Sequence, residues 1–205
     1  MTNQILPYAI PLIASVIVSL GCAYAAWYRR STPGAIPILA LSLAIALWSA
    51  CATLSMFQTD LQVFIALSNI QSIGHVVLQV GWVIFALQYT GRERWLTPLF
   101  WTVLAVEPVV VEILFWTDAF HGLMRVDNWL DTSGPFPIHL STFGLGYWFH
   151  TVYSYVLMSV ATVLLIKEMI RTRHLLYRGQ IIALVCAWAV PFVANILQVA
   201  KLSPV

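Results

Sequence analysis

Charge is what this sequence most lacks: Asp, Glu, Lys and Arg make up 9% of its 205 residues, against roughly a quarter in soluble domains. The net charge of +2 is too small for nucleic-acid binding. Lysine occurs only as Lys167 and Lys201, both at the ends of apolar runs. That excludes a retinal-type Schiff base within a helix bundle. Cysteine is limited to Cys22, Cys51 and Cys186, each inside an apolar run, at spacings that fit neither a zinc site nor a redox pair. No metal-ligand spacing, nucleophile elbow or Gly-rich phosphate loop is found. An internal repeat is also missing, which removes the usual argument for an inverted-repeat transporter.

What is present is apolar: 60% of residues are hydrophobic and the mean hydropathy is +0.85. Such a chain is expected to be an integral, multi-pass protein of the inner or plasma membrane. At about 20 apolar residues per span, the sequence divides into six helices, near 5–28, 34–57, 61–90, 95–117, 144–170 and 178–200. The fold class expected is an all-α transmembrane bundle forming one domain over 1–205. The first span is not a signal peptide, because no basic residue precedes it and Arg29 and Arg30 follow it. Arg29, Arg30, Arg92, Arg94, Lys167, Arg171, Arg173 and Arg178 fall on one side of the bundle, Arg125 and Lys201 on the other. The positive-inside rule then puts the N-terminus outside, with the long 118–143 connection. Partial alternation on both sides of "DTSG" makes that connection a β-hairpin over the outer mouth.

The third span carries an unusual polar stretch, "SNIQSIGHVVLQVGW" (68–82). At about 100° per residue, Ser68, Gln71, Ser72, His75, Gln79 and Trp82 share one stripe. Gly74 and Gly81, away from it, form a groove where a neighbouring backbone can approach. Asn69 lies off the stripe. The stripe must face protein, which makes this helix central. It serves either as interhelical glue, worth about 0.6–2 kcal/mol per hydrogen bond, or as a functional site.

Other ionisable groups within the spans favour the site reading, because such groups are costly in a bilayer. Glu107 precedes Pro108 in the fourth span, and Glu112 points about 140° away from it, so the two cannot work as a paired-carboxylate device. Depth estimates sort these groups into an outer cluster of Glu112, His150, Tyr153 and Asn195 and a midplane pair of His75 and Glu107. Trp116, Tyr147, Trp148 and Phe149 fall at the outer interface, as an aromatic belt or a ligand cage. The ligand-binding candidates are Glu112, Trp148, His150, Tyr153 and Asn195, above a polar core of Ser72, His75, Gln79 and Glu107. No cofactor is expected: a bis-His haem needs His75 and His150 at one level, whereas the estimate separates them by about 12 Å.

The segments "WTDAFHGL" (116–123), "GYWFHTVYSYVL" (146–157), "LQYTGRERWL" (87–96), "RRSTPGA" (29–35) and "RGQ" followed by Pro191 and Asn195 carry a resemblance. In order and spacing the chain resembles the N-terminal seven-transmembrane sensor region of histidine kinases. The resemblance implies a receptor-like bundle that passes a signal to a cytoplasmic kinase output domain, and it supplies no ligand. Such a region has seven helices and this sequence carries six. Either a seventh follows, or the chain is a six-helix relative acting as an accessory subunit of a larger membrane complex. The sequence contains no kinase phosphoacceptor or ATP-binding segment, so it is not expected to be an enzyme.

Overall fold

A computed structural model describes residues 2–171 and the single positions Gly179, Ile182 and Cys186. Apart from those positions, the expected sixth helix, and Asn195 with it, lies outside the described residues. Five helices follow in order: α1 (Thr2–Tyr28), α2 (Ala35–Ser55), α3 (Leu61–Tyr89), α4 (Pro98–Trp116) and α5 (Leu145–Arg171). Each is long and apolar enough to cross a membrane, and only such helices and closed barrels satisfy their backbone in lipid. The chain is a multi-pass membrane protein.

Local chemistry sets the helix starts. Asp60 caps α3 by accepting the Gln62 N–H at 2.8 Å. Helix α4 begins three residues later than its apolar run, after a 3₁₀ turn at Glu93–Trp95. Thr97 caps it by accepting the Phe100 N–H at 3.2 Å, and Pro98 occupies the first turn, where its missing donor does no harm. Further on, α4 runs through Pro108 without interruption.

Helix α3 is the centre of the bundle, as its polar stripe predicts. A β-carbon at Gly74 would lie 3.1 Å from the Ala44 carbonyl oxygen, and one at Gly81 would lie 3.0 Å from the Leu41 side chain. The small residues thus let α2 pack closely against α3. Ser15 and Ser49 join α1 to α2 at 3.0 Å. On another side α5 runs parallel to α3, where the Trp82 indole N–H donates to Thr162 at 3.3 Å. Leu87, Ala161 and Leu165 are almost completely enclosed there. At the basic end Arg171 donates to Glu168 Oε1 through Nε and Nη2, at 3.2 and 2.9 Å. Arg92, just past α3, lies 3.8 Å from the other Glu168 oxygen.

At the opposite end the expected hairpin forms from β1 (Arg125–Asp131) and β2 (Ile138–Phe143), paired antiparallel with an irregularity between Arg125 and Asp127. Its turn reaches α1, where the Phe136 ring meets Tyr8 edge-on at 5.2 Å. The approach to the hairpin is folded tightly by Asp118, whose two carboxylate oxygens accept the N–H groups of Met124 and Arg125 at 2.8 and 2.9 Å. Met124 is fully buried against Val76, Val111 and Phe115. From this segment α5 is hung: Gly144 N–H donates to the Met124 carbonyl at 3.0 Å and Gly146 N–H to that of Leu123 at 2.9 Å.

A β-carbon at Gly144 would collide with the Leu123 carbonyl, whereas Gly21 on α1 has nothing within 4 Å. Gly144→Ala is expected to lower stability by about 1–3 kcal/mol, the cost of overpacking, while Gly21→Ala leaves it unchanged or raised. Thermal denaturation of both variants in mild detergent checks this.

Candidate functional site

Three helices bring one polar side chain each to a single point inside the bundle. His150 lies on the second turn of α5, Glu107 on α4 beside Pro108, and Gln79 on the inward face of α3. His150 Nδ1 and Glu107 Oε1 are 2.6 Å apart, a length typical of charge-assisted bonds or shorter. The other ring nitrogen of His150 is 3.5 Å from the Gln79 amide nitrogen. All three residues are buried, and Ser154 reinforces the turn by donating to the His150 carbonyl at 2.6 Å. Among the described residues, Gln79 Oε1 and Glu107 Oε2 are buried without a hydrogen-bond partner. The array is therefore rich in acceptors and short of donors.

One turn closer to the hairpin, Glu112 ties α4 to α3. Its Oε2 is 3.1 Å from the Ser72 hydroxyl, which also reaches the Asn69 carbonyl at 2.7 Å. The two acids of α4 thus reach different helices, as their angular separation requires. Tyr153 is half-buried within electrostatic reach of Glu107. Trp148 stands 44% exposed at the hairpin end, edge-on to Tyr147, which itself stacks on Phe143 with ring centroids 3.8 Å apart. Among the described residues no three His, Cys, Asp or Glu side chains gather as they would around a metal.

Two expectations need correction. Unlike Ser72 and Gln79, His75 is exposed, and it lies beside the Trp48 ring, with centroids 6.2 Å apart. The stripe is wide enough to straddle two neighbours. Its Ser72 and Gln79 edge turns to α4 and α5. Its other edge flanks the Gly74 groove filled by α2, where Gln71 also donates to the Trp48 carbonyl at 3.3 Å. The second correction is that His150, expected in the outer cluster, lies level with Glu107 and is hydrogen-bonded to it. The depth estimate started α5 level with the ends of its neighbours. In the structure α5 hangs from the Leu123–Met124 segment, and Met124 packs on Val76, near the middle of α3. That attachment carries His150 down to the level of Glu107.

A further polar cluster was not foreseen. Arg125, which counted in the sequence only as an outer basic residue, is buried and donates through Nη2 to Asn69 Oδ1 at 2.8 Å and Ser68 Oγ at 3.2 Å. Its guanidinium lies 4.9 Å from the centre of the Phe115 ring. Burial lowers the Arg125 pKa, and the nearby Asp118 charge opposes the shift. This contact explains Asn69, the polar residue off the stripe. The signal was there in two unassigned residues, a lone outer arginine and an intramembrane asparagine. Above it, His139 contacts Asn128 Oδ1 at 2.9 Å. Burial and the Arg125 charge bring the His139 pKa down to about 4. Asp131 at the turn is held below its usual range by hydrogen bonds from Ser133.

Residues 11–205 match the family model described as the N-terminal 7TM region of histidine kinase. No curated protein and no solved structure matches the chain.

Removing one member of a buried acid–base pair strands the other, at a cost of about 3–5 kcal/mol. Glu107→Ala and His150→Ala are each expected to destabilise by that order, and the double variant by clearly less than their sum. A double-mutant cycle on thermal or denaturant unfolding measures the coupling. For His139, a folded pKa of about 4 below the ordinary value of about 6.5 means that the unfolded hairpin binds more protons between those pH values. Stability of the hairpin therefore rises with pH across this window and falls on acidification. Hydrogen exchange of the hairpin amides reads it, and His139→Gln is expected to flatten the dependence.

Proposed function

The chain belongs to the family of N-terminal 7TM regions of histidine kinases, and we propose that it takes up a small ligand beneath the hairpin, in the outer half of the bundle. It is a membrane sensory domain. On this reading residues 1–205 act as one sensor unit, and the signal leaves beyond α5 for a cytoplasmic kinase output domain. The chain itself acts as input and not as catalyst. One observation carries the proposal: the Glu107–His150–Gln79 array joins three helices inside the membrane and, among the described residues, leaves two buried acceptors unpaired. Unpaired buried acceptors are costly, so they favour a ligand that brings N–H or O–H donors. Glu112, His150 and Tyr153 are its polar contacts and Trp148 its aromatic wall; Asn195, the fifth expected contact, lies outside the described residues.

A ligand signals only by binding two packings unequally, with each tenfold preference equal to about 1.4 kcal/mol. Helix α4 is the element best placed to respond. Its side-chain hydrogen bonds to other helices, among the described residues, are those of Glu107 to α5 and Glu112 to α3. A donor that captures either acid releases one of those ties and changes where α4 sits.

A thermal-shift screen of small amines and alcohols on the purified chain tests the reading. The expected result is a compound that raises the melting temperature of the wild type by several degrees at saturation and loses this effect in His150→Gln and Glu112→Gln. A stabilising compound indifferent to both substitutions would contradict the site. Stoichiometric protein partners in mild detergent, together with unchanged signalling in His75→Ala and His150→Ala, would favour an accessory subunit instead.

A further inference from the structure

A second site lies on the other side of α4, towards the basic end. Helices α2, α3 and α4 leave an open groove of about 420 Å³ between them. Its walls are apolar apart from Gln88 at one end, whose Oε1 is already taken by the Gly34 N–H at 3.0 Å. Along α3 it runs from Gln88 to Val76, about 18 Å at the helical rise per residue. Half of a bilayer's hydrocarbon core is about 15 Å. The groove therefore matches the depth of one leaflet, and it ends at Pro108 and Val109 near mid-membrane.

The ends of the bundle differ in charge. Trp101 stands at the groove's basic end, and the turn joining α3 to α4 carries Arg92 and Arg94. The turn joining α1 to α2 carries Arg29 and Arg30. Arg92 is engaged by Glu168. Arg29, Arg30 and Arg94 are exposed and, among the described residues, have no acidic partner. An apolar slot one leaflet deep, at the end of the bundle that carries exposed cations without an acidic partner among the described residues, fits an acyl chain attached to an anionic head group.

We propose that the α2–α3–α4 groove binds an anionic phospholipid of the leaflet at the basic end, with one acyl chain in the groove and its head group among Arg29, Arg30 and Arg94. The site is separate from the Glu107–His150 array and does not depend on the sensor reading. Ala40 and Ala105 line facing walls of the groove, so a larger side chain at either position occupies the space of the acyl chain. Val106, next to Ala105, is 55% exposed and does not line the groove.

Native mass spectrometry of the full chain released from mild detergent tests this, with phosphatidylglycerol and phosphatidylcholine of the same acyl chains titrated in parallel. The expected result is preferential retention of phosphatidylglycerol. Retention falls about tenfold in Ala40→Phe and Ala105→Phe, since each displaced methylene removes part of the burial, and is unchanged in Val106→Phe. Arg94→Gln lowers phosphatidylglycerol binding about fivefold, as for loss of one surface cation. Because Arg94 is exposed, that variant keeps the head-group test readable even where a filled-groove variant fails to fold. Equal retention of the two lipids, or unaltered phosphatidylglycerol binding in both filled variants, would overturn the proposal. So would palmitate binding as tightly as phosphatidylglycerol, which would give the groove to free fatty acids.

Discussion

The hydrogen bond between Glu107 and His150 is the constraint around which this bundle is arranged. In a bilayer there is no hydrophobic force between helices to hold α4 in place, and association relies on packing and polar contacts. Helix α4 has much of its apolar surface exposed, with Val103, Val106, Val109 and Ile113 all more than half accessible. Its two acids therefore matter greatly: Glu107 reaches α5 and Glu112 reaches α3. For the first contact to exist, α5 must begin deep in the bundle, and the Asp118 turn, Met124 and the Gly144–Gly146 hydrogen bonds set that depth.

The two polar clusters have different physical characters. Around Arg125 the fit is nearly complete: Ser68, Asn69 and the Phe115 ring surround the guanidinium, while Asp118 fixes the backbone beside it. Such a cluster locks the hairpin onto α3. The Glu107–His150–Gln79 array has, among the described residues, acceptors left over. A satisfied network rigidifies, whereas each group left unpaired in a low-dielectric interior is costly. That contrast, with membership of the 7TM kinase-sensor family, underlies the ligand-binding proposal made above.

Much of this was legible in the sequence, for reasons specific to membranes. Five spans and the hairpin could be read because apolar run length and the alternation around the "DTSG" turn each act locally. Gly74 and Gly81 announced close packing with a neighbour, and α2 provides it. Which polar residues meet across helices was not legible. His75 and Gln79 differ by one turn on the same stripe, yet one is exposed beside Trp48 and the other buried against His150, a difference their shared angle does not reveal. The level of His150 depended on where a loop attaches α5, a tertiary fact that the rise per residue cannot supply. Arg125 was read only as a topology marker, since nothing in its immediate sequence reveals that it turns inward to Asn69.

The central claim is that α4 and α5 are joined inside the membrane through Glu107 and His150. Solid-state NMR on the chain in lipid bilayers, with nitrogen-15 in the histidine ring and carbon-13 in the glutamate side-chain carboxyl, measures that contact directly. The account predicts strong dipolar dephasing from a nitrogen–carbon separation under about 4 Å, as hydrogen-bond geometry requires, and its loss in Glu107→Gln labelled in the same way. No dephasing at His150 in the folded wild type would contradict it.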